Sequence, residues 1–235
     1  VSPAAALPAR AAVNLARIVS ACAAALIAMA LVDLRQQYQV WQAGQMLERQ
    51  GSAIARGEFA AAPPLPRYAA GALPPRAEVI DALILARAAA ADRFPHERVR
   101  LLAQARSTIA SAMAARPDWG DAQLVSAYIG LIPSPGHPDR AVLRDFAASY
   151  RNAGFLHDAA QWRSTTGFIL WPLLDQASRA HVVDEAVVIA RLAPEDRQSI
   201  FAAARASPAY MDFGRVWMDT RRGDADMMPG DRPTP

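Results

Sequence analysis

The sequence has no lysine, a single cysteine and few aromatic residues. Without lysine, all 25 basic side chains are arginine; 22 acids oppose them, for a formal charge of +3. From Asp33 onward the two signs are interspersed. That pattern describes a solvated globular surface. It lacks the one-faced basic stripe that a nucleic-acid backbone needs, so nucleic acid is disfavoured as a partner. The single cysteine, Cys22, allows no disulfide within the chain and no cysteine-based zinc site. It also falls inside an apolar run, which leaves the rest of the chain without a thiol nucleophile.

Catalytic signatures are missing too. There is no G-x-S-x-G, no glycine-rich phosphate loop and no dinucleotide fingerprint. The four histidines are His96, His137, His157 and His181, and no two of them sit at i, i+4 with a carboxylate beside them in the manner of a metalloprotease helix. His157 beside Asp158, and His181 near Asp184 and Glu185, come nearest to a site; ordinary surface polarity explains both more simply. The expectation is a protein that is not an enzyme, with no catalytic, cofactor-binding or metal-ligating set.

What is abundant is alanine, the best helix former and a poor core filler. Clusters of Val, Ile, Thr and aromatics of the strand type are scarce. The fold class expected is all-α, with helices packed closely through small side chains.

Residues 18–32 carry no charge, and Arg10 and Arg17 precede them. Fifteen residues make about 22 Å of helix against a hydrocarbon core of about 30 Å. Arg17 can snorkel, so 13–34 serves as the span, with Ile18, Val19, Ala24, Leu26, Ile27 and Leu31 as its lipid-facing anchor residues. The helical pattern then continues unbroken to Trp41, and Tyr38 and Trp41 suit a membrane interface. Two alternatives stay open. Ala28, Met29 and Ala30 satisfy the A-x-A rule, so the segment is also readable as a signal peptide cleaved after Ala30. A buried helix fits less well, because the run is apolar on every face. The lipobox-like stretch ending at Cys22 fails, since most of the apolar run follows the cysteine. Arg10 and Arg17 put the N-terminus inside. The expected location is therefore the bacterial inner membrane, single-pass, with the C-terminal domain periplasmic and membrane lipid as one partner.

The expected organisation is a cytoplasmic N-terminus (1–12), the span (13–34), a juxtamembrane helix (35–58), a Pro-rich linker (59–75), a helical repeat-like domain (76–222) and a disordered tail (223–235). Leu34, Tyr38 and Trp41 form a narrow apolar stripe on the juxtamembrane helix, expected to pack on the protein's own domain, with a dimerising or partner-binding helix as the rival reading. Within the domain, helices are predicted over 76–92, 95–116, 121–131, 140–152, 156–170, 178–192, 194–206 and 207–217. Pro95 and Pro194 sit at helix starts, Asp139 is an N-cap, and Pro117 is a stop.

Trp162, Phe168, Trp171, Phe201, Tyr210, Phe213 and Trp217 concentrate in the last third. They are read as core fillers among alanines, with a glycan or peptide groove as the rival reading. Arg151, Trp162, Arg163 and Trp171 form the candidate interaction surface, suited to a glycan or an anionic ligand. Neither arginine has an acid three or four residues away, so both read as solvated charge.

Ala105, Ile109, Ala112 and Pro117 fall at the spacing of the second helix of a tetratricopeptide repeat, and Ala127 matches the small position of the next unit's first helix. Residues 97–131 thus resemble that family, which implies paired antiparallel helices and protein partners. Gln123 and Ser126 stand where the family has an aromatic and a leucine, and the 34-residue period is not sustained. Residues 149–217 combine Tyr150, Arg151, Trp162, Arg163, Trp171, Glu185, Ser207 and Pro208. This stretch resembles bitopic helical proteins that accompany bacterial exopolysaccharide and O-antigen machinery. The resemblance implies an accessory scaffold or adaptor in envelope polysaccharide assembly. Two other functions remain: an integral single-pass subunit of a larger membrane complex, whose small residues (Ala21 to Ala25, Ala28) allow close helix contact, or a released periplasmic binding protein or enzyme.

Overall fold

The computed structural model describes residues 9–57, 73–134, 137–156 and 159–227, without the side chains of 9–13, 15–16, 55 and 221–227. Among the described residues the protein is all-helical, with no strand. The helices are α1 (Ala9–Ala55), α2 (Pro75–Ala91), α3 (Pro95–Ala115), α4 (Gly120–Leu131), α5 (Arg140–Asn152), α6 (Ala160–Leu170), α7 (Gln176–Leu192), α8 (Pro194–Arg205) and α9 (Tyr210–Met227). A short 3-10 turn, Trp171–Leu173, extends the end of α6.

Local chemistry accounts for the boundaries. Proline occupies the first turn of α2, α3 and α8, where its missing N–H is no loss. Asp139 caps α5 by accepting from Val142 N at 2.9 Å, and Asp175 caps α7 by accepting from Ser178 N at 2.7 Å. The capping bond holds the Asp175 carboxyl below its usual range. α3 ends at Ala115, ahead of Pro117.

Packing proceeds by neighbouring helices in chain order: α2 on α3, α4 on α5, α6 on α7. Glycines let these pairs approach. A Cβ on Gly130 would collide with Val142, and one on Gly120 with Ala153, so opposite ends of α4 face opposite ends of α5 and the pair is antiparallel. A Cβ on Gly167 would likewise collide with Val182 across α6 and α7.

Two apolar cores share α4. The first holds Ala82, Leu85, Ala86 and Ala89 of α2, Leu102, Ala105, Ile109 and Ala112 of α3, and Ala122 and Ile129 of α4. No aromatic side chain is fully buried there. The second is built on Phe146, Tyr150, Phe168, Trp171 and Phe213, with Leu124 and Ala127 of α4. The concentration of large rings in the last third is therefore mainly core, with edge-to-face contacts such as Phe201 with Phe213 at 5.0 Å. Tyr210 stays exposed.

Four expectations are corrected. The 207–217 helix starts at Tyr210 and runs to Met227, so residues 223–227 are helical; of the expected tail, 228–235 lie outside the described residues. Phe213, Val216 and Trp217 pack on the second core, and α9 propagates from that anchorage. α6 begins at Ala160, not at 156; ahead of it Leu156 N donates to the Glu185 carboxylate. The stripe of Leu34, Tyr38 and Trp41 does not pack on the domain. These residues are 66%, 55% and 58% exposed, and another side of α1 docks on α2 instead. There Gln50 and Ala53 are buried, after a half-buried stretch that includes Gln39, Ala43 and Met46. Small and polar side chains allow the close approach, and Gln50 Nε2 donates to the Ile84 carbonyl at 2.9 Å. Of the expected Pro-rich linker, 59–72 lie outside the described residues, Leu73 is buried, and Pro75 already belongs to α2.

Candidate functional site

Two features stand out. The first is the N-terminal part of α1. Ile18, Val19, Leu26, Ile27 and Leu31 are 59–62% exposed, about what a lone helix leaves open, and Ala24 is exposed beside them. Met29, Val32 and Leu34 are open as well. Among the described residues, α1 is the one helix long and apolar enough to cross a membrane; a signal sequence has the same length and composition. α1 continues without interruption from this segment into the half that docks on α2.

The second feature lies inside the domain. The four residues of the candidate interaction surface do not converge. Arg151 is exposed. Trp162 is half-buried, edge-on to Tyr128 at 5.3 Å. Trp171 is buried, with the Arg179 guanidinium 5.5 Å from its ring centre. Arg163 is not solvated charge: its exposure is 0%.

Arg163 forms an ion pair with Glu185 of α7, which is also buried. Its Nε donates to both carboxylate oxygens, at 3.1 and 2.9 Å, and Nη2 donates to Oε1. Nη1 donates to the carbonyls of Ser149 (3.2 Å) and Ala153 (3.0 Å), and Nη2 to that of Gly154 (3.4 Å). These carbonyls end α5, where a cation also meets the negative end of the helix dipole. Glu185 in turn accepts from Tyr150 Oη at 3.1 Å, Ser164 Oγ at 3.3 Å and Leu156 N at 3.4 Å. The guanidinium lies 4.0 Å from the Tyr150 ring centre. Burial pushes the Tyr150 phenol well above its usual range, and the Glu185 carboxylate adds to that, so Tyr150 stays a donor. The set braces α5, α6 and α7 and the turn between α5 and α6. It is sealed from solvent, so its chemistry is structural. Sequence reasoning missed it because the acid lies 22 positions from the arginine, on another helix.

An open groove of about 430 Å³ adjoins this brace, between the α3–α4 turn and the end of α5. Arg116, Trp119, Asp121 and Asn152 line it. They are already committed to the protein: Arg116 lies over Trp119 at 4.9 Å, Trp119 Nε1 donates to Asp121 Oδ2 at 3.1 Å, and Asn152 Nδ2 donates to Gln123 Oε1 at 2.9 Å. His96, His137 and His181 are exposed, His181 being stacked on Tyr150 at 5.8 Å; His157 and Asp158 lie outside the described residues. No group of three or more metal-ligating side chains occurs among the described residues.

No protein-family model, no curated protein and no solved structure matches the chain.

Proposed function

We propose that the protein is a membrane-anchored, extracytoplasmic helical adaptor. The observation that carries this reading is the open apolar surface of α1. Ile18, Val19, Leu26, Ile27, Met29, Leu31, Val32 and Leu34 all stand uncovered. At about 1.5–3 kcal/mol for each large apolar side chain, keeping them in water forgoes on the order of 10 kcal/mol. That rivals the roughly 5–15 kcal/mol that stabilises a whole domain. A bilayer supplies the missing cover. Arg10 and Arg17 ahead of the segment favour an N-terminus inside and the domain outside, which in a bacterium means the inner membrane and the periplasm.

The domain suits holding more than turnover. Its successive helix pairs resemble a tetratricopeptide-like stack, with Ala105, Ile109, Ala112 and Ala127 at the buried small and apolar positions. Its deepest polar cluster faces inward. Service in envelope polysaccharide assembly rests on the resemblance of 149–217 alone; on that reading a glycan or anionic ligand joins protein partners.

Membrane fractionation tests the proposal. The intact chain, N-terminus included, is expected in a carbonate-resistant pellet. Recovery of a soluble form beginning after Ala30 overturns it in favour of a released periplasmic protein. Detergent purification then separates adaptor from integral subunit. Integral partners in fixed ratio favour the subunit, packed through the small residues Ala21 to Ala25 and Ala28.

A further inference from the structure

At the level of Trp41, α1 has two sides in different surroundings. From Gln39 onward α1 is partly covered: Gln39, Ala43 and Met46 are half-buried and Gln50 and Ala53 buried, and α1 packs on α2, with Gln50 Nε2 donating to the Ile84 carbonyl. On another side Leu34, Tyr38 and Trp41 recur at i, i+4 and i+7, fully open, with the two rings stacked at 5.8 Å. This apolar stripe has no cover within the protein. It is continuous with the open apolar run ahead of it, since α1 has no break between them.

We infer that this stripe lies in the lipid headgroup layer, and that the helical domain rests on the bilayer surface with no free stalk between them. The inference rests on the membrane reading above. If the span ends at Leu34, Tyr38 lies about 6 Å and Trp41 about 10 Å further along the axis. The polar layer of a bilayer leaflet is on the order of 5–8 Å thick. Helical side chains lean toward the helix N-terminus, here toward the membrane, so the Trp41 ring reaches back into that layer. Tyrosine and tryptophan suit it, with an apolar body and a polar tip. Asp33, Arg35, Gln36 and Gln37 give the same turns of helix polar groups that headgroups and water accept. The partly covered stretch of α1 begins at Gln39, the same height, so whatever places Trp41 at the interface places the start of that protein cover there too.

The test uses the full chain carrying Cys22→Ser, with one new cysteine per variant: Ile27→Cys, Tyr38→Cys or Trp41→Cys. Each is labelled with a polarity-sensitive dye and reconstituted in phosphatidylethanolamine and phosphatidylglycerol vesicles. Iodide quenching is compared with that of the glutathione adduct of the same dye, and nitroxide lipids labelled on the headgroup or deep in the chain report depth. The expected result is a label at 27 that iodide does not reach and deep nitroxide quenches. Labels at 38 and 41 are expected to be severalfold shielded from iodide and quenched by headgroup nitroxide. If 27 is shielded while 38 and 41 are as accessible as the adduct, this inference falls and the anchor stands. If 38 and 41 are shielded but headgroup nitroxide does not quench them, protein covers the stripe and the inference also falls. If iodide reaches 27, the membrane reading itself fails.

Discussion

The apolar part of α1 and the core around α6 and α7 treat charge in opposite ways. Residues 18–32 contain no charge and present their large apolar side chains outward. The α6–α7 core encloses a guanidinium and a carboxylate at 0% and 1% side-chain exposure. Water is the wrong surrounding for the first and is absent from the second. α1 therefore looks outside the protein for cover, while the core supplies its own. Each potential donor group of Arg163 finds an acceptor, and both oxygens of Glu185 are occupied. An ion pair can be exiled from water only on those terms, because desolvation costs several kcal/mol per ion. One region leaves its apolar surface uncovered; the other satisfies its own buried charge.

The largest expected effect breaks the interior side of the contrast. Arg163→Ala leaves Glu185 buried and charged and removes the guanidinium donors from the carbonyls of Ser149, Ala153 and Gly154. A loss of about 3–5 kcal/mol is expected in denaturant unfolding of the detergent-solubilised chain. Replacing both partners, Arg163→Met with Glu185→Leu, should recover most of that, since it removes the stranded charge along with the pair. A loss under about 1 kcal/mol for Arg163→Ala would mean that the brace carries no stability. Next in size is the mirror experiment on α1. Ile27→Arg places a charge at the middle of the apolar run, at a cost of about 2.5–3.5 kcal/mol for insertion, or about 100-fold in the inserted fraction. Domain unfolding should not change, because Ile27 is open and no other element covers it. Loss of domain stability with unchanged membrane partition would reverse the roles assigned to the two regions.

Much of the fold was legible because its signals are local. Proline at the starts of α3 and α8, the Asp139 cap and the Pro117 stop each act within one turn of helix. The apolar run needs only its own composition. What failed was non-local. Arg163 looked unpaired because the helical rule scans three or four positions, while its partner sits on the antiparallel neighbour. The docking side of α1 was misjudged because hydrophobicity picks Leu34, Tyr38 and Trp41. The domain is met by small and amide side chains, whose merit is close approach and a hydrogen bond to the Ile84 carbonyl. The repeat-like spacing was partly visible in Ala105, Ile109 and Ala112. Yet α2, α4 and α6 start at Pro75, Gly120 and Ala160, intervals longer than a 34-residue period, so a search for that period finds one unit and stops.

A smaller effect sharpens the comparison within the domain, at Asp81 of α2. Asp81 and Glu78 are both buried. Burial, then the Glu78 carboxylate, raises Asp81 to about 6; Glu185, by contrast, is ion-paired with Arg163. The unfolded chain titrates near the ordinary carboxylate value of about 4. Above pH 6 both states are ionised and folding bears the full cost of burying the charge. As pH falls from 6 to 4, the folded state takes up a proton that the unfolded chain does not, and stability rises through that window. Below about pH 4 the gain is complete. Asp81→Asn should therefore stabilise the fold by about 1–3 kcal/mol at pH 8 and by progressively less toward pH 4. Asp175 runs the other way: its carboxyl is held low by the cap at Ser178, and its contribution fades in acid. Subtracting the variant's pH profile from that of the parent removes Asp175 and the other groups remote from Asp81. A difference that stays flat between pH 4 and pH 8 would show that Asp81 is solvated in the folded state, and the contrast between a carboxylate raised by burial and the Glu185 carboxylate paired with Arg163 would be lost.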